Sequence, residues 1–167
     1  MPDENFESKA NDLLTQLGQF LQVGELEFDE EDDTCTLILD NTLEINITLN
    51  MEGETLILHH LVGIVPQENR QEILEQLLEA NLFWSGTKGA TISIERRSSS
   101  VFVMRSITLY DSDGRPLTGE DLGNAIADLA NAAQYTKSLL VADAEISPEE
   151  NQEEKNDHQA FDIAKLD

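Results

Sequence analysis

Cysteine, tryptophan and positive charge are all scarce in this sequence. Cys35 is the only cysteine, so no disulfide within the chain can contribute to its stability. Aromatic residues make up 5% of the chain and Trp84 is its only tryptophan, which leaves an aliphatic core. No apolar run approaches the ~20 residues a bilayer span needs. The N-terminus, MPDENFESKAND, lacks the basic and apolar regions of a secretory leader. These absences predict a soluble protein of a reducing, cytoplasmic setting with no membrane insertion. Lysine and arginine number 10 against 34 aspartates and glutamates, a formal charge of -24. Such a field repels phosphodiester backbones and anionic lipid headgroups, which argues against nucleic acid as a partner and favours a basic or neutral one.

What is present is enough apolar material for one domain, 40% of 167 residues. Its centre is Pro66 to Ala90. Pro66 suits a first helical turn, with Glu68 and Glu72 near the positive end of the helix dipole. Ile73, Leu74, Leu77, Leu78 and Leu82 then recur at three- and four-residue steps, a face that Phe83 and Trp84 continue until Ser85-Gly86. Upstream, Phe6, Ala10, Leu13, Leu14, Leu17 and Leu21 form a second helical stripe, with Asp3 as its cap and Gly24 as its stop.

Leu26 and Phe28 alternate in a short strand before the acidic turn Asp29 to Asp33. Cys35, Leu37 and Leu39 alternate in the next strand, up to a turn at Asp40-Asn41. From Leu43 to Met51 the alternation is strict, with Ile45 and Ile47 on the apolar side. Thr55 to Val65 is apolar on both faces, an interior strand of an antiparallel meander. Thr91 to Glu95 and Val101 to Tyr110 read as two further strands. Thr118 and Asp121 have capping-box spacing ahead of a last helix from Leu122 to Leu140. The order helix, three or four strands, helix, two strands, helix predicts an α+β domain over residues 1–141 with an antiparallel sheet and three helices. Residues 142–167, acidic and Pro-interrupted, read as a disordered tail in which Phe161, Ile163 and Leu166 could form a docking element.

Chemistry is not legible. His59 and His60 are strand neighbours, whose side chains point to opposite faces and do not readily share a metal ion. The Asp29–Asp33 run lacks the glycine and closing glutamate of a calcium loop. Gly86-Thr87-Lys88-Gly89 follows a helix, whereas a phosphate loop precedes one. Cys35, in an alternating strand, reads as a buried thiol. No catalytic residue and no metal or other cofactor is expected. What remains is apolar surface, which is either core or a place for another chain.

The element order, Leu43–Leu49 followed by Leu56–Val65, the sequence Leu77-Leu78-Glu79-Ala80-Asn81 after Pro66, the Gly89–Val103 hairpin and the last helix together resemble the class I type III secretion chaperones, the CesT/SycE-like (Tir chaperone) family, and in particular a SycE-like chaperone of the chlamydial type. The likeness covers about residues 5 to 141; in the last helix Tyr135 and Leu139 stand where the family often has an aromatic residue and a tryptophan. It implies the element order α-β-β-β-α-β-β-α and a homodimer of the bacterial cytoplasm that holds the N-terminal segment of a type III secreted effector protein in extended form. The implied effector grooves carry Leu13, Leu14, Leu17, Phe20 and Leu21 of the first helix and Leu37, Leu39, Ile45 and Ile47 of the sheet. The implied dimer interface carries Ile73, Leu77, Leu78, Leu82 and Trp84. An export ATPase is a further partner the likeness raises for the tail. YbjN-like regulators share the architecture without a secreted client and form the alternative.

Overall fold

The computed structural model describes residues 4–40 and 42–141. Helix α1 (Glu4–Leu21) is followed by β1 (Thr34–Leu39), β2 (Leu43–Asn50), β3 (Thr55–Ile64), α2 (Arg70–Ala80), β4 (Thr91–Ile94), β5 (Ser100–Thr108) and α3 (Gly119–Val141). The five strands form one antiparallel sheet in the order β1-β2-β3-β5-β4. β3 therefore pairs with β5, and α2 is the excursion that lets β4 come in at the far edge. The predicted class and element order hold.

One face of the sheet carries the core. Leu37, Ile45, Ile47, Leu56, Leu58, Val101 and Val103 point from it towards Leu13, Leu14 and Leu17 of α1 and Leu122, Ile126 and Leu129 of α3, all in one buried cluster. Each such side chain contributes about 1.5–3 kcal/mol on leaving water. α3 runs over β3 and β5 and packs along α1. Gly119 makes that crossing close: a Cβ there would collide with the backbone of Gln16. The Thr118–Asp121 capping box forms reciprocally. The Asp121 N–H donates to Thr118 Oγ1 at 3.2 Å, and the Thr118 N–H donates to Asp121 Oδ2 at 2.8 Å.

Several local expectations are corrected. Leu26 and Phe28 do not form a strand. They pack part-buried against the core, and the segment meets β1 only where the Asp29 N–H donates to the Thr34 carbonyl at 3.0 Å. α1 stops before Gly24, at Gln22, whose φ of 56° closes a Schellman turn with Val23 N–H on the Gly18 carbonyl. α2 begins at Arg70 rather than Pro66, because Asn69 interrupts at φ 53° and helical bonding starts with Ile73 N–H on the Asn69 carbonyl. Phe83 and Trp84 do not extend α2. They lie in a short 3-10 turn, Leu82–Trp84, with φ of 53° and 52°. β3 is apolar on both faces, yet only one is covered; Leu61 and Ile64 are exposed on it. Asp3, Asn41 and residues 142–167 lie outside the described residues, and with them the predicted cap, half of one turn and the tail.

Candidate functional site

Among the described residues, two exposed surfaces suit a partner chain. The first is at the end of α2. Leu78 is 71% exposed and Phe83 85%, and Leu82 and Trp84 are exposed beside them. Leu78 lies on the outer side of α2, and beyond Asn81 the chain leaves the helical path at Phe83 and Trp84. Ile73 and Leu77 turn inward with Ala80, and the chain then reverses, so that Leu82, Phe83 and Trp84 project from the body. Asn81 fixes this geometry. Its Nδ2 donates to the Ile92 carbonyl at 3.1 Å and its Oδ1 accepts the Ile92 N–H at 2.8 Å. That side-chain amide thereby occupies the outer edge of β4, and leaves little of that edge for another strand.

The second surface is the opposite edge, β1. The Leu49 N–H donates to the Asp33 carbonyl at 2.9 Å, in register with Cys35↔Ile47 and Leu37↔Ile45. By the alternation of an antiparallel ladder, Thr34, Thr36 and Ile38 turn their backbone groups away from β2. Thr34 is consumed locally, its carbonyl by Asp29 and its N–H by the Asp32 carboxylate at 3.1 Å. Thr36 and Ile38 have no backbone partner on that side among the described residues, and Ile38 is 66% exposed. Next to this edge lies a cleft of about 380 Å³ between α1 and the 25–33 segment. Leu26, Phe28 and Leu49 line its floor, and Glu7, Glu25 and Glu27 are among the carboxylates around it.

The residues singled out from sequence divide sharply. Leu13, Leu14, Leu17, Leu37, Ile45 and Ile47 are buried in the chain's own core, as are Ile73 and Leu77. Those side chains offer no accessible surface in the single chain. Phe20 is 46% exposed, with its ring against Gly123. Leu21 and Leu39 are part-buried at the margin of the core. Leu78, Leu82 and Trp84 come together at the α2 end, and Phe83, Ile38, Leu61 and Ile64 are also exposed. The signal for Ile38 was its place in β1, one residue off the buried series Cys35, Leu37.

The polar candidates are structural. His59 and His60 point to opposite faces. His59 Nε2 meets Thr48 Oγ1 at 3.1 Å, while the His60 Nδ1–H donates to the Glu44 carbonyl at 2.6 Å. Burial pushes the His59 pKa down, Glu44 opposes this, and His60 adds to it. Burial raises the Cys35 thiol. Among the described residues, no three His, Cys, Asp or Glu side chains are placed to hold a metal ion, and no helix is long and apolar enough to cross a membrane.

Residues 12–137 match the model of the Tir chaperone protein (CesT) family. The chain belongs to that family. It is thus one of the chaperones of type III secretion, a non-enzymatic family. Solved structures agree on the fold. A chain of the HopA1–SchA chaperone–effector complex is 21% identical, with a TM-score of 0.63 over 82% of this chain and 99% of that one. The Yersinia pestis type III secretion chaperone SycH, in complex with a fragment of YscM2, is also similar: 17% identity, a TM-score of 0.57, and 77% and 97% coverage. YbjN, a putative transcription regulator from E. coli, follows at 15% and 0.52 over 76% and 88%. No curated protein matches the chain.

Proposed function

We propose that the chain is a homodimeric cytoplasmic chaperone that holds the N-terminal segment of a type III secreted effector in extended form, soluble and competent for export. The observation that carries the reading is the family match over residues 12–137, on a fold whose β1 edge is open at Thr36 and Ile38. An extended segment added there would gain backbone hydrogen bonds, while its alternate side chains reach Ile38 and Leu39 or the Leu26–Phe28 cleft. Phe20 and Leu21 offer further apolar contact on α1. The carboxylates around the cleft and the Asp29–Asp33 turn favour a client with lysine or arginine beside its apolar residues, bound more weakly as salt rises. Leu78, Leu82, Phe83 and Trp84 are the surface for self-association, since an exposed apolar cluster of this kind is stabilised by covering it.

Purification from the native cell with identification of what accompanies the chain tests this. A secreted client, held through its N-terminal segment and lost when that segment is deleted, is the expected result. Recovery of only non-secreted partners would favour the YbjN-like regulatory reading, for which the TM-score of 0.52 to YbjN is the supporting observation.

A further inference from the structure

The few cations of this acidic chain are unevenly used. Lys88 and Arg105 share Asp128 at 3.7 and 3.5 Å, Arg115 holds Asp111 and Asp121 at 2.9 and 3.0 Å, and the Lys9 ammonium lies 5.6 Å from the centre of the Tyr110 ring. Arg70, Arg96, Arg97 and Lys137 have no carboxylate within ion-pair distance among the described residues. The elements that carry them converge near the end of β3. The Val65 N–H donates to the Ser99 carbonyl at 3.0 Å, which ties the end of β3 to the turn bearing Arg96 and Arg97. Arg70 opens α2 just beyond, and its Nη1 is buried without a hydrogen-bond partner. Leu140 packs on Gly63, so α3 ends here too, one turn after Lys137. The carboxylate of that turn, Glu95, accepts from the backbone N–H groups of Arg97 and Ser98 and from the Ser98 hydroxyl, not from either guanidinium. Exposed apolar residues lie nearby: Val141 ends α3, and Ile64, 64% exposed, and Leu61 sit at the end of β3 on the sheet face that α3 does not cover.

Residues 142–167 continue the chain from this place. They carry nine carboxylate side chains against Lys155 and Lys165, and end with Phe161, Ile163 and Leu166 at close spacing. We propose that this segment docks on its own chain, its carboxylates against Arg96, Arg97 and Lys137 and its terminal apolar residues against Leu61 and Ile64. An acidic segment is repelled by most of a protein of this charge and gains most where cations are unpaired. The reach suffices. A coil from Val141 to Phe161 averages about 25 Å end to end, and five strands about 4.8 Å apart span roughly 20 Å. Tethering also supplies an effective concentration of order millimolar, which a second molecule or a client must overcome.

The inference does not depend on the effector reading, and it is tested on the full chain alone. Amide NMR spectra are compared between about 0.01 M and 0.5 M NaCl, where the screening length falls from about 30 Å to a few ångströms, and between wild type and Arg96→Glu/Arg97→Glu. Docking predicts that Leu61, Ile64, Phe161, Ile163 and Leu166 shift together with salt, and that the double variant shows the high-salt positions already at low salt. Unchanged resonances of β1 and β2 in the variant control for folding, and Arg96→Gln/Arg97→Gln gives an intermediate response. Resonances of 161–166 indifferent to both salt and charge reversal would overturn the proposal. So would shifts that grow with protein concentration, since these would mean docking on a second copy.

Discussion

At the scale of single residues, the polar side chains of this protein act on the backbone more than on one another. Asp121 takes two hydrogen bonds from Thr118 while Arg115 sits on the same carboxylate, and these hold its pKa far below the ordinary range, Arg115 contributing most. Thr118→Ala should cost about 1 kcal/mol in denaturant unfolding through loss of the cap. The depressed Asp121 carboxyl implies a sign. Its stabilisation is complete above the unfolded-chain value of about 3.9, and is lost as pH falls from there through the folded value. The stability difference between wild type and Asp121→Asn, followed by thermal melts, should therefore narrow below about pH 4. His59 runs to the same sign for another reason. Its folded pKa is lowered by burial, so stability present above about pH 6.5 should fall as acid protonates the ring. His59→Gln should flatten that part of the curve.

At the scale of elements, the sheet treats its two edges differently. β4 is blocked by Asn81, whose amide bonds both backbone groups of Ile92. Asn81→Ala strands those groups at a half-buried site, for an expected loss of about 1–3 kcal/mol and faster hydrogen exchange at Ile92. β1 has no such guard at Thr36 and Ile38. Proline at position 38 removes an N–H that the β1–β2 ladder does not use, and proline is tolerated on such edges. Ile38→Pro should leave the unfolding midpoint within a few degrees of wild type. It should weaken client binding about tenfold or more, measured by calorimetry with an effector N-terminal peptide, if strand addition is the mode.

At the scale of the whole molecule, a chain of charge -24 presents an apolar cluster at the end of α2. Mutual repulsion opposes pairing, so the apolar contact has to dominate, and dimerisation should strengthen as salt screens the charge. Light scattering should give twice 18.6 kDa for wild type. For Leu78→Asp it should give monomer, because a carboxylate would be desolvated without a partner in the contact. Leu78 is 71% exposed in the single chain, so its fold should survive the change. A dimeric Leu78→Asp would place self-association elsewhere.

Local periodicity was enough to read the element order, the strict alternation of Leu43–Leu49 and the Thr118 cap, because helix and strand periods and capping are written in neighbouring residues. The end of α1 at Gln22 instead of Gly24, and the late start of α2, escaped that reading; each depends on a non-glycine residue taking a positive φ that surrounding contacts impose. The larger gap concerns apolar side chains. Leu77 and Leu78 are adjacent and chemically identical, yet one is buried and the other is among the most exposed of the large apolar residues described. Periodicity says that a helix has an apolar side, but the width of that side exceeds what one sheet face can cover. Which leucines remained outside was decided only when α2 packed on α3 and β4 and the chain turned at Phe83 and Trp84. Burial belongs to pairs of faces, and a sequence lists faces one at a time.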